Sequence, residues 1–184
     1  MAKSTLTPKI GFIVFGVHKD GLKDPMGEPF IDDALIDRSK KALKERGVEL
    51  VEYDTIIASK EEARRALKSM KDDESIDGII LFSGTWVWAA HLVGAVRDYA
   101  GTRRGILIWT HPGSQGWRPV GGLVMHGGLM EIGIDHKFVY GSADDAGDME
   151  SIAAYCRASA LRNRLNMATI GAFGRTYCFG PTFR

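Results

Sequence analysis

Two clusters of residues have the types and spacing to hold a ring-shaped, hydroxyl-rich molecule. The first is Thr85, Trp86, Trp88 and His91, which follow the run Asp77-Gly78-Ile79-Ile80-Leu81-Phe82-Ser83-Gly84. The second is Trp109-Thr110-His111-Pro112-Gly113-Ser114-Gln115-Gly116-Trp117-Arg118, which follows the apolar stretch from Gly105. Indole faces pack against C–H faces, while hydroxyl, amide and imidazole groups bond to hydroxyls. That is the chemistry of a polyol or sugar site. Each cluster begins where an apolar run gives way to small polar residues, the mark of a buried strand opening at its carboxyl end. In open α/β sheets, ligands bind at that end.

A third loop, His18 to Pro29, carries Lys19, Asp20, Lys23, Asp24 and Glu28. It is longer than the usual connection from strand to helix, which suits a binding role. The candidate substrate-binding residues are therefore His18, Lys19, Trp86, Trp88, His111 and Gln115. Each has a plainer alternative. His18 taken alone reads more readily as an exposed loop histidine, Trp88 equally as a core residue, and Gln115 and Arg118 equally as loop surface. Trp86 makes the strongest case because it is nearest its strand tip.

Other chemistries find less support. His91, His111, His126 and His136 are scattered, with no H-x-x-x-H spacing or accompanying carboxylate cluster. Asp144-Asp145 reads as a helix N-terminus. There is no G-x-S-x-G nucleophile turn, dinucleotide fingerprint or phosphate-cradling G-x-x-x-x-G-K run. No catalytic residue and no metal ligand is assigned. Cys156 and Cys178 form no metal-type pair and read as reduced thiols.

A net charge of +1 with 26% charged residues gives no electrostatic reason for a nucleic-acid or membrane partner. The apolar runs fall short of the roughly 20 residues of a membrane span. The opening residues lack a signal-type apolar segment, so a cytoplasmic location is expected.

The elements that must position these clusters alternate along the chain. Strands are predicted at 9–17, 48–53, 76–82, 105–109, 137–140 and 167–173. Helices are predicted at 31–46, from Ser59 with Glu62 as a capping box, at 86–99, at 119–132 and at 144–164. Alternation of this kind implies a parallel sheet with helices on both faces. The fold class is α/β, a three-layer doubly wound parallel sheet of five or six strands, flavodoxin-like, with core order 2-1-3-4-5. Residues 1–174 form the domain. Residues 175–184 read as an irregular tail, a truncated or altered end.

With these residues in view, the chain resembles the N-terminal domain of the L-fucose isomerase/L-arabinose isomerase superfamily. The matching stretches are Pro8-Lys9-Ile10-Gly11-Phe12, Ile76-Asp77-Gly78-Ile79-Ile80, Ser83-Gly84-Thr85-Trp86-Val87-Trp88, Trp109-Thr110-His111 and Met167-Ala168-Thr169-Ile170-Gly171-Ala172-Phe173-Gly174. They span nearly the whole chain.

The resemblance implies aldose–ketose isomerisation in an oligomeric enzyme with a divalent metal, commonly Mn2+, whose ligands lie in further domains. It implies that the first domain lends sugar contacts to a neighbouring subunit, with Trp86 as the matching tryptophan. The family's first-loop arginine has only Lys19 and Lys23 here, and its Gly-Arg-x-Met turn is replaced by Gly174-Arg175-Thr176-Tyr177. The implied partners are a small-molecule sugar and either a homo-oligomer or the missing C-terminal domains. The chain alone is expected to bind no cofactor and to be inactive as an isomerase.

Two other classes compete with that reading. One is a non-enzymatic flavodoxin-like binding or assembly module. The other is a flavin-binding electron carrier, whose Ser/Thr-rich phosphate loop is missing from the first connection.

Overall fold

A computed structural model of the 184-residue chain describes residues 6–16, 32–113, 117–169 and 171. The elements run β1 (Lys9–Phe15), α1 (Asp33–Lys44), β2 (Glu49–Glu52), α2 (Lys60–Asp72), β3 (Gly78–Ser83), α3 (Ala89–Ala100), β4 (Gly105–Thr110), α4 (Arg118–Glu131), β5 (Lys137–Tyr140) and α5 (Ala146–Met167). All strand pairs are parallel and the sheet order is β2-β1-β3-β4-β5. This is the three-layer flavodoxin-like arrangement expected from the alternating pattern.

The sheet separates two cores. On one face Ile13, Ile79, Leu81, Ile106 and Ile108 pack against α2, α3 and α4. On the other Phe12, Val14, Ile80, Phe82, Leu107 and Trp109 pack against α1 and α5. Every residue of β3 and β4 is buried, which is why these strands read as continuous apolar runs rather than alternating ones. The capping box opening α2 is present: Glu62 N donates to Ser59 Oγ at 3.2 Å, and Ser59 N donates to Glu62 Oε2 at 3.0 Å. On α5, Met149, Ile152, Ala153, Cys156 and Ala160 are buried, as their spacing predicts.

The amino end of the sheet is closed by a buried polar clasp. Asp77, ahead of β3, accepts from the Lys9 backbone N–H at 3.0 Å and from Asn163 Nδ2 at 3.1 Å. Both carboxylate oxygens are thus satisfied, as burial demands.

Two element boundaries need correcting. The helix expected from Trp86 begins at Ala89, and Trp88 is its N-cap with extended backbone (φ −90°, ψ 122°). Val87 is buried there, so the segment 86–88 follows the strand outward before turning. The strand expected from Met167 does not start there. Met167 is the last residue of α5, and Ala168 and Thr169 are exposed and unpaired with the sheet. Ile170 and residues 172–184, including the predicted tail, lie outside the described residues. Among the described residues no helix is long and apolar enough to cross a membrane.

Candidate functional site

The order 2-1-3-4-5 reverses direction between β1 and β3, so a crevice opens at their carboxyl ends. The loop after β3 and the described ends of the loop after β4 border it. Their positions are set by how α4 begins. Ser83 Oγ, at the tip of β3, and Thr110 Oγ1, at the tip of β4, each donate to the Arg118 carbonyl oxygen at 2.8 Å. The first turn of α4 is therefore bolted across two strand ends.

Gly121 and Gly122 permit that approach. A Cβ on Gly121 would lie 2.1 Å from the Thr85 carbonyl oxygen, and one on Gly122 would lie 2.5 Å from Thr110 Cβ. Any side chain there would push the helix off the strand tips.

Above this joint three tryptophans gather. Trp86 meets Trp88 edge-on, with ring centroids 5.4 Å apart, and meets Trp117 edge-on at 6.4 Å. Trp86 is half-buried, whereas Trp88 and Trp117 are 56% and 50% exposed. Trp117 caps α4 in left-handed backbone geometry (φ 59°, ψ 22°). A bulky residue rarely adopts this conformation, and such strain gathers at ligand sites. Trp86 Nε1 is buried without a hydrogen-bond partner among the described residues.

The Trp117 position lets its neighbour Arg118 turn inward. The Arg118 side chain is buried, and its Nε and Nη1 have no hydrogen-bond partner among the described residues. Its Nη1 lies 4.0 Å from Asp32 Oδ2, beyond hydrogen-bond reach. Burial pushes the guanidinium pKa below its ordinary value, and the Asp32 charge opposes that shift.

His111 is tied in place. Its Nδ1 contacts the Pro112 carbonyl oxygen at 2.7 Å, so that nitrogen carries the proton. Its Nε2 then accepts from Ser142 Oγ at 3.1 Å. Both ring nitrogens are satisfied within the chain, and the imidazole joins the loop after β4 to the loop after β5. Beside the crevice, a hollow of about 390 Å³ between α1 and the tips of β1 and β2 is lined by Asp33, Asp37, Lys40, Glu52 and Asp54.

Of the predicted binding residues, Trp86 and Trp88 come together at the β3 tip and His111 lies at the β4 tip. His18, Lys19 and Gln115 lie outside the described residues. Trp109, grouped by sequence with the β4 tip, is instead a core residue. It is fully buried, edge-on to Phe82, and its Nε1 donates to the Gly141 carbonyl at 2.9 Å. Sequence reasoning placed Trp117 and Arg118 in the cluster after β4, with loop surface as the plainer reading of Arg118, and chose neither as a binding residue. The signal for both was the pair Gly121-Gly122 close behind them, which marks a helix start pressed on the strand ends. Among the described residues no group of three or more His, Cys, Asp or Glu side chains could hold a metal ion.

No protein-family profile matches the chain. No curated protein matches it either. Among solved structures it is similar to a diflavin flavoprotein A3 from Nostoc sp., at 16% identity over 88% of this chain and 98% of that one, with a TM-score of 0.44. It is also similar to a flavodoxin from the domain Archaea, at 10% identity over 84% and 99% of the two chains, with a TM-score of 0.38. A flavodoxin from Streptococcus pneumonia TIGR4 gives 10% identity, 83% and 99% coverage and a TM-score of 0.38. These likenesses concern the fold.

Proposed function

We propose that this chain is a sugar-recognition domain of the kind found at the N-terminus of aldose–ketose isomerases. It contributes sugar contacts and an oligomer interface without the metal site. One observation carries the reading: Trp86, Trp88 and Trp117 form an edge-to-face cluster over the tips of β3 and β4, half open to solvent. Exposed indoles held against one another offer rigid apolar faces at little entropic cost, and these suit the C–H face of a pyranose or open-chain polyol. The sequence resemblance through Ser83-Gly84-Thr85-Trp86-Val87-Trp88 supports the same reading.

The chain's own residues bind and orient. Trp86 supplies a face and a buried N–H, and the Ser83–Arg118–Thr110 joint keeps the aromatic loops in register. Moving hydrogen between C1 and C2 needs a base with an electrophile, or a metal polarising both oxygens. The domain by itself therefore does not interconvert aldoses and ketoses, and Mn2+ would be held by domains beyond it. The working location is the cytoplasm.

The domain also self-associates. α4 carries no charge between Arg118 and Glu131, and its outer face exposes Leu123 and Met130 next to the open Gly127. An exposed helix face of this composition is covered by a second copy of the chain.

Titration with neutral aldoses, followed by tryptophan fluorescence, tests the recognition role. A saturable change is expected. No response to any aldose or polyol, alongside visible flavin absorbance in the purified protein, would replace this reading with the electron-carrier one.

A further inference from the structure

We propose that Arg118 is an oxyanion anchor, so that the molecule held at the strand tips is an acidic sugar bearing a carboxylate or phosphate. This rests on the reading of the crevice as a sugar site. The structural contacts of Arg118 are made by its backbone: the carbonyl oxygen takes the Ser83 and Thr110 hydroxyls. The side chain adds nothing to that joint. It is 5% exposed, yet Nε and Nη1 have no hydrogen-bond partner among the described residues.

The position of the guanidinium follows from its neighbours. Nη1 is 4.0 Å from Asp32, which leads into α1 from the β1 side. Nη2 lies 3.5 Å from where a Cβ on Gly113, in the loop after β4, would sit. β3 lies between β1 and β4. A group touching both flanking loops therefore spans the carboxyl end of β3, at the switch of sheet direction.

A buried cation without hydrogen-bond acceptors is costly, and truncation is not the only remedy. Asp32 gives partial relief, since one of its oxygens is already used in capping α1 through the Leu35 N–H at 2.9 Å. The remaining donors ask for an acceptor-rich ligand, and guanidinium pairs most strongly with carboxylate and phosphate. A second donor points the same way: Trp86 Nε1, in the adjoining loop, is also buried and unpartnered among the described residues. Both groups can only donate. A neutral sugar would satisfy them through hydroxyls alone, whereas an oxyanion also neutralises the charge.

The test uses the full chain and four probes at matched ionic strength: L-arabinose, L-arabinonate, L-arabinose 5-phosphate and inorganic phosphate. Tryptophan fluorescence gives each Kd for the unmodified chain, Arg118→Met and Trp86→Ala. At least one acidic sugar is expected to bind tenfold or more tighter than L-arabinose, and Arg118→Met is expected to erase that difference by weakening the acidic sugar far more than L-arabinose.

Equal affinity for neutral and acidic sugars would overturn the anchor and leave the sugar reading standing. Inorganic phosphate binding as tightly as the phosphorylated sugar, with no effect of Trp86→Ala, would keep the anchor and remove the sugar. No binding by any probe would remove both. If Arg118→Met does not fold, the unfolding midpoint of the unmodified chain carries the test. It should rise more with the acidic sugars than with L-arabinose, and an equal rise would overturn the anchor.

Discussion

The Ser83 hydroxyl donates to the Arg118 carbonyl oxygen across 2.8 Å, in a fully buried setting, linking residues 35 positions apart. The last residue of β3 thereby holds the first residue of α4, and Thr110 makes the matching bond from β4. A net hydrogen bond of this kind contributes about 1 kcal/mol. Ser83→Ala and Thr110→Val are each expected to lower unfolding free energy by about that much in urea titrations. Both should also change tryptophan emission, because α4 positions Trp117 against Trp86. Unchanged emission in a folded double variant would mean that the aromatic cluster does not depend on this joint.

The order of the sheet was legible because its physics is local. Gly78 to Ser83 and Gly105 to Thr110 are buried on both faces, so their runs are apolar throughout. The Ser59–Glu62 box and the inward stripe of α5 follow from spacing alone. The β3-tip tryptophans were legible for a similar reason: a strand tip is where an apolar run stops. The inward turn of Arg118 was not legible. In the sequence it belongs to the polar cluster after β4, where loop surface is its plainer reading. Only the folded chain turns it inward, where two glycines let α4 settle onto the strand ends. The same applies to His126 and His136, which looked scattered. They meet only because α4 runs antiparallel to the following strand, which places the last turns of one beside the entry to the other.

That histidine pair makes stability pH-dependent. His136 Nδ1 donates to the Ile134 carbonyl at 2.7 Å, which leaves its Nε2 to accept from His126 Nδ1 at 2.8 Å. His126 also stacks on Phe138 with centroids 4.6 Å apart. Burial, and secondarily the His136 charge, lower the His126 pKa from its ordinary value near 6.5. The unfolded chain then takes up this proton at a higher pH than the folded chain does. The contribution is fully present above the unfolded pKa and is lost as pH falls through the folded one. The thermal midpoint is expected to drop as pH is lowered from about 7.5 to 5, and less steeply in His126→Gln. Parallel slopes in the two proteins would rule out this pair as a source of the dependence.

Leu123 and Met130 sit two turns apart on the outer face of α4 and are 55% and 63% exposed. If a second copy covers them, light scattering at high concentration should report an oligomer, and Leu123→Glu with Met130→Glu should report a monomer. Both positions are exposed, so the substitutions should leave the unfolding midpoint of the monomer within a few degrees of the parent. A clean monomer of the unmodified chain would refute self-association through this face.

Trp86 offers the sharpest test of the binding reading, because two substitutions should separate ring from N–H. Its ring is gripped edge-on by Trp88 and Trp117, and its Nε1 is buried with no partner among the described residues. An unmatched buried donor costs about 1–3 kcal/mol in the free protein. Trp86→Phe keeps an aromatic face and removes that donor, so the free domain should become slightly more stable while sugar affinity falls. Trp86→Ala removes the face as well. It should weaken sugar binding several-fold, since a stacking contact contributes on the order of 1 kcal/mol. It should leave the fold intact, because the residue sits beyond the last hydrogen-bonded position of β3. Paired measurements of thermal midpoint and sugar Kd decide the matter. Opposite signs for Trp86→Phe, stability up and affinity down, are what a donor reserved for a ligand requires. A fall in stability with unchanged affinity would make Trp86 a packing residue, and the strand-tip crevice would lose its central support.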